Sequence, residues 1–141
     1  MQSTARDFIR ACDREGIKYK DPRTTDSGKT AVTLGVNGSH GNSYNVGFYF
    51  DTNETGVAIR VYQFTACNDS NYARMLLACN ELNNKYRWVK FVIDDDRDMN
   101  IEADCVVSPS TAGTVCVEMF YHFMGIAKEA YPVLMRAQWG G

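Results

Sequence analysis

The sequence predicts an α+β domain of order α-β-β-β-α-β-β-α, a twisted antiparallel sheet with helices packed on it. Three observations lead there. Three successive triplets (Val32, Leu34, Val36; Val46, Phe48, Phe50; Val57, Ile59, Val61) put an apolar residue at every second position. Strand side chains alternate between two faces, so each triplet marks a strand with one apolar face. The segments joining them are short and turn-rich, whereas a parallel crossover needs about a dozen residues or more. Before and after this meander, apolar residues recur instead at the spacing of amphipathic helices.

Taken in order, residues 4–15 read as the first helix, with Ala5, Phe8, Ile9 and Cys12 on one stripe. Thr4 with Asp7 three residues on has the form of a capping box. Gly16 supplies the left-handed residue that ends a helix, and Ile17 can fold back over it. Residues 20–29 are polar turn chemistry. The three strands follow, joined by 37–43 and 51–56. A second helix spans about 69–86, with Asn68 or Asp69 as N-cap and Tyr72, Met75, Leu76, Cys79, Leu82 and Tyr86 as its stripe. Two more strands, 88–94 and 99–107, turn Val89, Phe91 and Ile93, then Ile101, Ala103, Cys105 and Val107, inward around an acidic turn. Pro109-Ser110-Thr111 opens the last helix, which runs to about 131 or slightly beyond. There Pro132, lacking an amide donor, should kink or end it. No Pro-rich linker, repeat or low-complexity segment divides the chain, so residues 1–141 read as one domain.

Composition narrows the function. With 45% hydrophobic residues the chain has enough apolar surface to exclude intrinsic disorder. Fifteen Lys and Arg against 17 Asp and Glu give a net charge of −2, which argues against a nucleic-acid partner and a membrane surface, both of which call for a basic footprint. No run reaches the ~20 apolar residues of a membrane span, and the opening residues lack the cationic start and apolar stretch of a secretory signal. Five cysteines (Cys12, Cys67, Cys79, Cys105, Cys116) show neither CxxC nor metal-ligand spacing. They read as buried thiols of a reducing cytoplasm, with no metal or other cofactor implied.

Motifs that could carry catalysis do not complete themselves. Gly28-Lys29-Thr30 resembles the tail of a phosphate-binding loop, but Arg23 stands where its first glycine belongs and no strand leads in. Asp94, Asp96 and Asp98 match the first, third and fifth places of a calcium loop, while Met99 and Cys105 occupy the places of its glycine and glutamate. A solvated hairpin turn accounts for them. The two histidines, His40 and His122, have no evident nucleophile or carboxylate partner. Asn80, Asn83 and Asn84 cluster near a helix end, where Asn side chains bind backbone readily. Asn80 and Asn83, with Arg60 and Tyr62, are the candidates for a small-ligand crevice between sheet and helix.

The last helix carries the functional hint. Between Ala112 and Arg136 its charged residues are Glu118, Lys128, Glu129 and Arg136. Cys116, Phe120, Phe123, Ala127, Ala130 or Tyr131, and Leu134 form one stripe; Met119, Ile126 and Val133 form a second, and Met124 and Tyr121 add further apolar width. A helix covering one sheet face needs a stripe little wider than ~100°. The excess is buried either by other helices of the same domain or by a partner. Met119, Phe120, Phe123, Met124, Ile126 and Ala127 are the candidate partner contacts.

Four stretches resemble the YbjN-domain family: Ala78-Cys79-Asn80-Glu81-Leu82-Asn83; Arg87-Trp88-Val89-Lys90-Phe91; the acidic turn and strand from Asp94 to Glu102; and Ala127-Lys128-Glu129-Ala130-Tyr131-Pro132-Val133-Leu134. Arg97 stands where the family hairpin often has glycine. The resemblance implies a fold like the class I type III secretion chaperones, often dimeric, and a role as a bacterial sensory-transduction regulator; it brings no catalytic residues. The expected function is a non-enzymatic interaction module, a cytoplasmic homodimer that binds a protein or peptide. The alternative is a small-ligand-sensing regulatory domain.

Overall fold

The computed structural model describes residues 1–140. In chain order the elements are α1 (Ser3–Glu15), β1 (Arg23–Thr24), β2 (Thr30–Asn37), β3 (Ser43–Phe50), β4 (Gly56–Ala66), α2 (Tyr72–Lys85), β5 (Lys90–Ile93), β6 (Asp98–Val106) and α3 (Ala112–Trp139). The strands form one antiparallel six-stranded sheet in the order β1-β2-β3-β4-β6-β5. This is the α+β class the alternation predicts, with one strand more. Arg23 and Thr24 pair with Ala31 and Thr30. Both are polar and exposed, so they carry no alternation, and the 20–29 stretch reads as turn alone.

Val32, Leu34, Val46, Phe48, Phe50, Val57, Ile59, Val61, Phe91 and Ile101 project to one side, where all three helices meet them in one core. Phe8 of α1 packs on Phe48 and Phe50 at ring distances of 4.5 and 5.6 Å. Full burial of such a ring stabilises the fold by roughly 1.5–3 kcal/mol. Among the described residues the other side of the sheet carries no helix.

The helix ends are satisfied from a distance. Gly16 adopts φ 69°, and the amides of Gly16 and Ile17 return to Asp13 and Cys12, closing α1 as expected. The capping box does not form. Thr4 lies inside α1 and is buried, while the Ser3 amide donates to Glu54 from the β3–β4 turn. Asp7 turns to α3 and accepts the Gly113 amide at 2.7 Å. An acidic side chain from another element thus meets the positive end of each helix, α1 and α3. Between 68 and 71 side-chain oxygens take backbone amides, Asn68 Oδ1 accepting those of Ser70 and Asn71 and Asn71 Oδ1 that of Asn68. That knot delays α2 to Tyr72, with Asn71 rather than Asn68 or Asp69 before it.

Pro132 does not end α3, which runs to Trp139. A prolyl residue has no N–H for the carbonyl four residues back, here Lys128. His40, at the tip of the β2–β3 hairpin, places Nε2 3.0 Å from that carbonyl oxygen and stacks its ring on Tyr131. The orphaned acceptor is therefore met by a side chain, and the helix continues.

Candidate functional site

The excess apolar width of α3 is taken up inside the chain. Met119, Phe120, Phe123, Ile126 and Ala127 are all buried, between 0 and 9% exposed. Met124 alone of the six candidate contacts is half-buried. α1 flanks α3 on one side, so closely at Gly113 that a Cβ there would lie 2.7 Å from the Asp7 carbonyl oxygen. α2 flanks it too, and at the far end Asn71 and Arg74 donate to the Gln138 and Ala137 carbonyls.

What remains outside is a ridge running along α3 through Val115, Glu118, Tyr121 and His122. Tyr121 is 47% exposed. On one side lies a groove of about 540 Å³ against α1, lined by Ala11, Arg14, Val117, Glu118 and Tyr121 among others. On the other a smaller cleft of about 180 Å³ lies between the ridge and Trp88. Trp88 is 55% exposed, stacks on His122 at 5.4 Å and holds φ at +82°. A bulky residue in that region is an outlier that costs on the order of 1–3 kcal/mol. Trp88 was not among the predicted contacts. The signal lay in the alternation: with Val89 and Phe91 inward, Trp88 falls outward, a large aromatic where a polar residue is expected.

The four candidate ligand residues do not converge. Arg60 and Tyr62 alternate with the core residues Ile59 and Val61, so they project from the open face of the sheet. Asn80 is exposed on α2, across the sheet from them. Asn83 grips the edge strand β5, its Oδ1 accepting the Phe91 amide at 2.7 Å and its Nδ2 donating to the Phe91 carbonyl at 3.1 Å. That clamp accounts for the asparagine by structure alone. Arg60 donates to the Ala103 carbonyl at 2.7 Å and to Asp104 at 3.1 Å.

Asp94, Asp96 and Asp98 do approach one another, with oxygens within 4.8 Å. The oxygens of Asp94 are already engaged: Oδ1 accepts the amides of Asp96 and Asp98, and Oδ2 accepts Asn100 Nδ2. Those bonds, led by the one from Asn100, hold the Asp94 carboxyl below its ordinary value. The turn also needs a left-handed residue, and Arg97 supplies it with φ +65°. Its guanidinium lies 3.7 Å from the centre of the Tyr72 ring, and its carbonyl accepts the Cys67 amide. Where a glycine would only turn the chain, Arg97 also ties the hairpin to α2.

All five thiols are free. Desolvation pushes Cys12 up to about 12, Cys79 up to about 11 and Cys116 higher still, the opposite of an activated nucleophile. Among the described residues no helix is long and apolar enough to cross a membrane.

These elements make a three-helix, six-strand α+β fold with an Asn-clamped edge strand and a long terminal helix. Over residues 10–134 the sequence matches the YbjN family, described as "Putative bacterial sensory transduction regulator", and the chain belongs to that family. A solved relative is the crystal structure of YbjN from E. coli, described as "a putative transcription regulator". It superposes with a TM-score of 0.58 over 91% of each chain at 12% identity, a likeness of fold. No curated protein matches the sequence.

Proposed function

We propose that the chain is a non-enzymatic interaction module of a regulatory system, acting in the reducing cytoplasm. It binds a protein or peptide partner, and a second copy of itself, along the α3 ridge and Trp88. The observation that carries this reading is Trp88 itself, an aromatic kept exposed in a costly conformation against His122. Large exposed aromatics between clefts are typical anchors of protein interfaces. Cys12, Cys79 and Cys116 are buried with their thiols pushed up by desolvation, which supports a role without thiol catalysis.

The test is the mass of the full chain by sedimentation across a wide concentration range, for wild type, Trp88→Ala and Tyr121→Asp. The wild type is expected to approach dimer mass, and both variants to remain monomeric with unchanged circular dichroism. Phe120→Asp is uninformative here, since a buried charge at that position unfolds the core. A wild type that stays monomeric at every concentration overturns the self-association, and a partner captured equally by both variants overturns the ridge.

A further inference from the structure

The open face of the sheet holds another concavity, and we infer that it binds a small anion bearing a flat ring, that is, a phosphorylated or carboxylated aromatic molecule. The cleft measures about 520 Å³, within the ~300–1,000 Å³ of small-molecule sites. It spans β1 to β4 on the side away from the helices, so the inference stands apart from the α3 ridge.

Its floor is made by small residues. A Cβ at Gly47 would come within 3.0 Å of the Tyr49 ring, so the missing side chain lets that ring lie across the floor. Tyr62 stands beside it, 56% exposed. Tyr49 and Tyr62 both line the cleft. Rings presented on a strand surface offer faces on which a planar ligand stacks.

Charge selects the sign of the ligand. No carboxylate lines the cleft. Lys20 reaches over the sheet to Asn45 Oδ1 at 3.3 Å, and Arg23 projects from the edge strand β1. Among the described residues neither makes an ion pair. Arg60 is held by Asp104 and the Ala103 carbonyl and serves as a wall. Two cations without ion pairs beside two phenols that line the same cleft, in a chain of net charge −2, match an anion with a ring and disfavour either part alone.

The test titrates the full chain with AMP, indole-3-acetate, adenosine and inorganic phosphate by amide-resolved NMR. Saturable binding of AMP or indole-3-acetate is expected, with shifts at Thr33, Asn45 and Tyr62. It should weaken about tenfold or more in the Lys20→Gln/Arg23→Gln double variant and in Tyr49→Leu, as charge-assisted bonds and stacking are lost. Binding of AMP alone assigns the anion as a phosphate; binding of indole-3-acetate alone assigns a carboxylate. Absence of saturable binding by both, equal binding of adenosine or phosphate, or affinity unchanged in the double variant overturns the inference.

Discussion

Residues that leave the ordinary backbone regions do so here for local reasons. Gln63, at φ +56°, sits where β4 carries extra residues between the pairs Val61–Ile101 and Thr65–Met99. Its amide, turned out of the ladder, is taken by Oδ1 of buried Asn100 at 2.9 Å. Asn100 in turn donates to Asp94, so one side chain joins the bulge to the acidic turn. The Asp94 carboxylate is the negative end of that chain, and its folded pKa lies below the ordinary 3.8. A depressed carboxyl contributes stability that is present above the unfolded pKa and is lost as pH falls through the folded one. Asp94→Asn should therefore unfold at lower urea than wild type at about pH 7, with the gap closing by about pH 2. A gap that persists in acid would mean the turn is held by contacts other than this charge. None of this is legible beforehand: three aspartates at alternate positions look like a solvated charge run, and only the fold reveals which one accepts three hydrogen bonds, from the Asp96 and Asp98 amides and from Asn100.

At the scale of elements, periodicity was readable wherever one face was buried. Strands β2 to β4 and β6 follow the alternation, and α1 follows its stripe. The pattern thins where neighbours decide instead. In α2, Ala78 is buried while Leu76 is 43% exposed, because the helix rests on α3 and β5 and leaves Leu76 outside. In α3 the proline looked terminal, yet a histidine 92 positions earlier in the chain meets the freed carbonyl. The two glycines of α3 make the same point with opposite signs. At Gly113 a methyl would press on the Asp7 carbonyl at 2.7 Å and Ala11 Cβ at 2.9 Å; at Gly125 nothing lies within 4 Å. Gly113→Ala should destabilise by roughly 1–3 kcal/mol, since α1 and α3 must separate. Gly125→Ala should stabilise by about 0.5–1 kcal/mol, through the backbone freedom removed from the unfolded chain. Urea midpoints of the two variants decide it; equal effects would mean the crossing of α1 and α3 accommodates a methyl group at Gly113.

For the whole molecule, the apolar fraction located the core helix but not its cover. A wide stripe on α3 says that more than the sheet must be buried; whether by α1 and α2 or by a partner depends on where two other helices fall, which periodicity does not encode. The cysteines give a measure of how the assembled core holds. Cys12, Cys79 and Cys116 come from the three different helices and are buried where those helices meet the sheet, while Cys67 and Cys105 are half-buried nearer the surface. Burial raises all five thiols, so each needs both exposure and deprotonation to react. If α1, α2 and α3 open only together, iodoacetamide at about pH 8 should modify Cys12, Cys79 and Cys116 at one common rate, with the urea dependence of complete unfolding. Cys67 and Cys105 should react earlier, with a weaker dependence, through local opening of the β4–α2 junction and of the open end of β6. Site-resolved mass spectrometry over a urea series separates the two groups. Early modification of Cys79 alone would show that α2 detaches as a unit, and the Asn83 clamp on β5 would then be the contact that yields first.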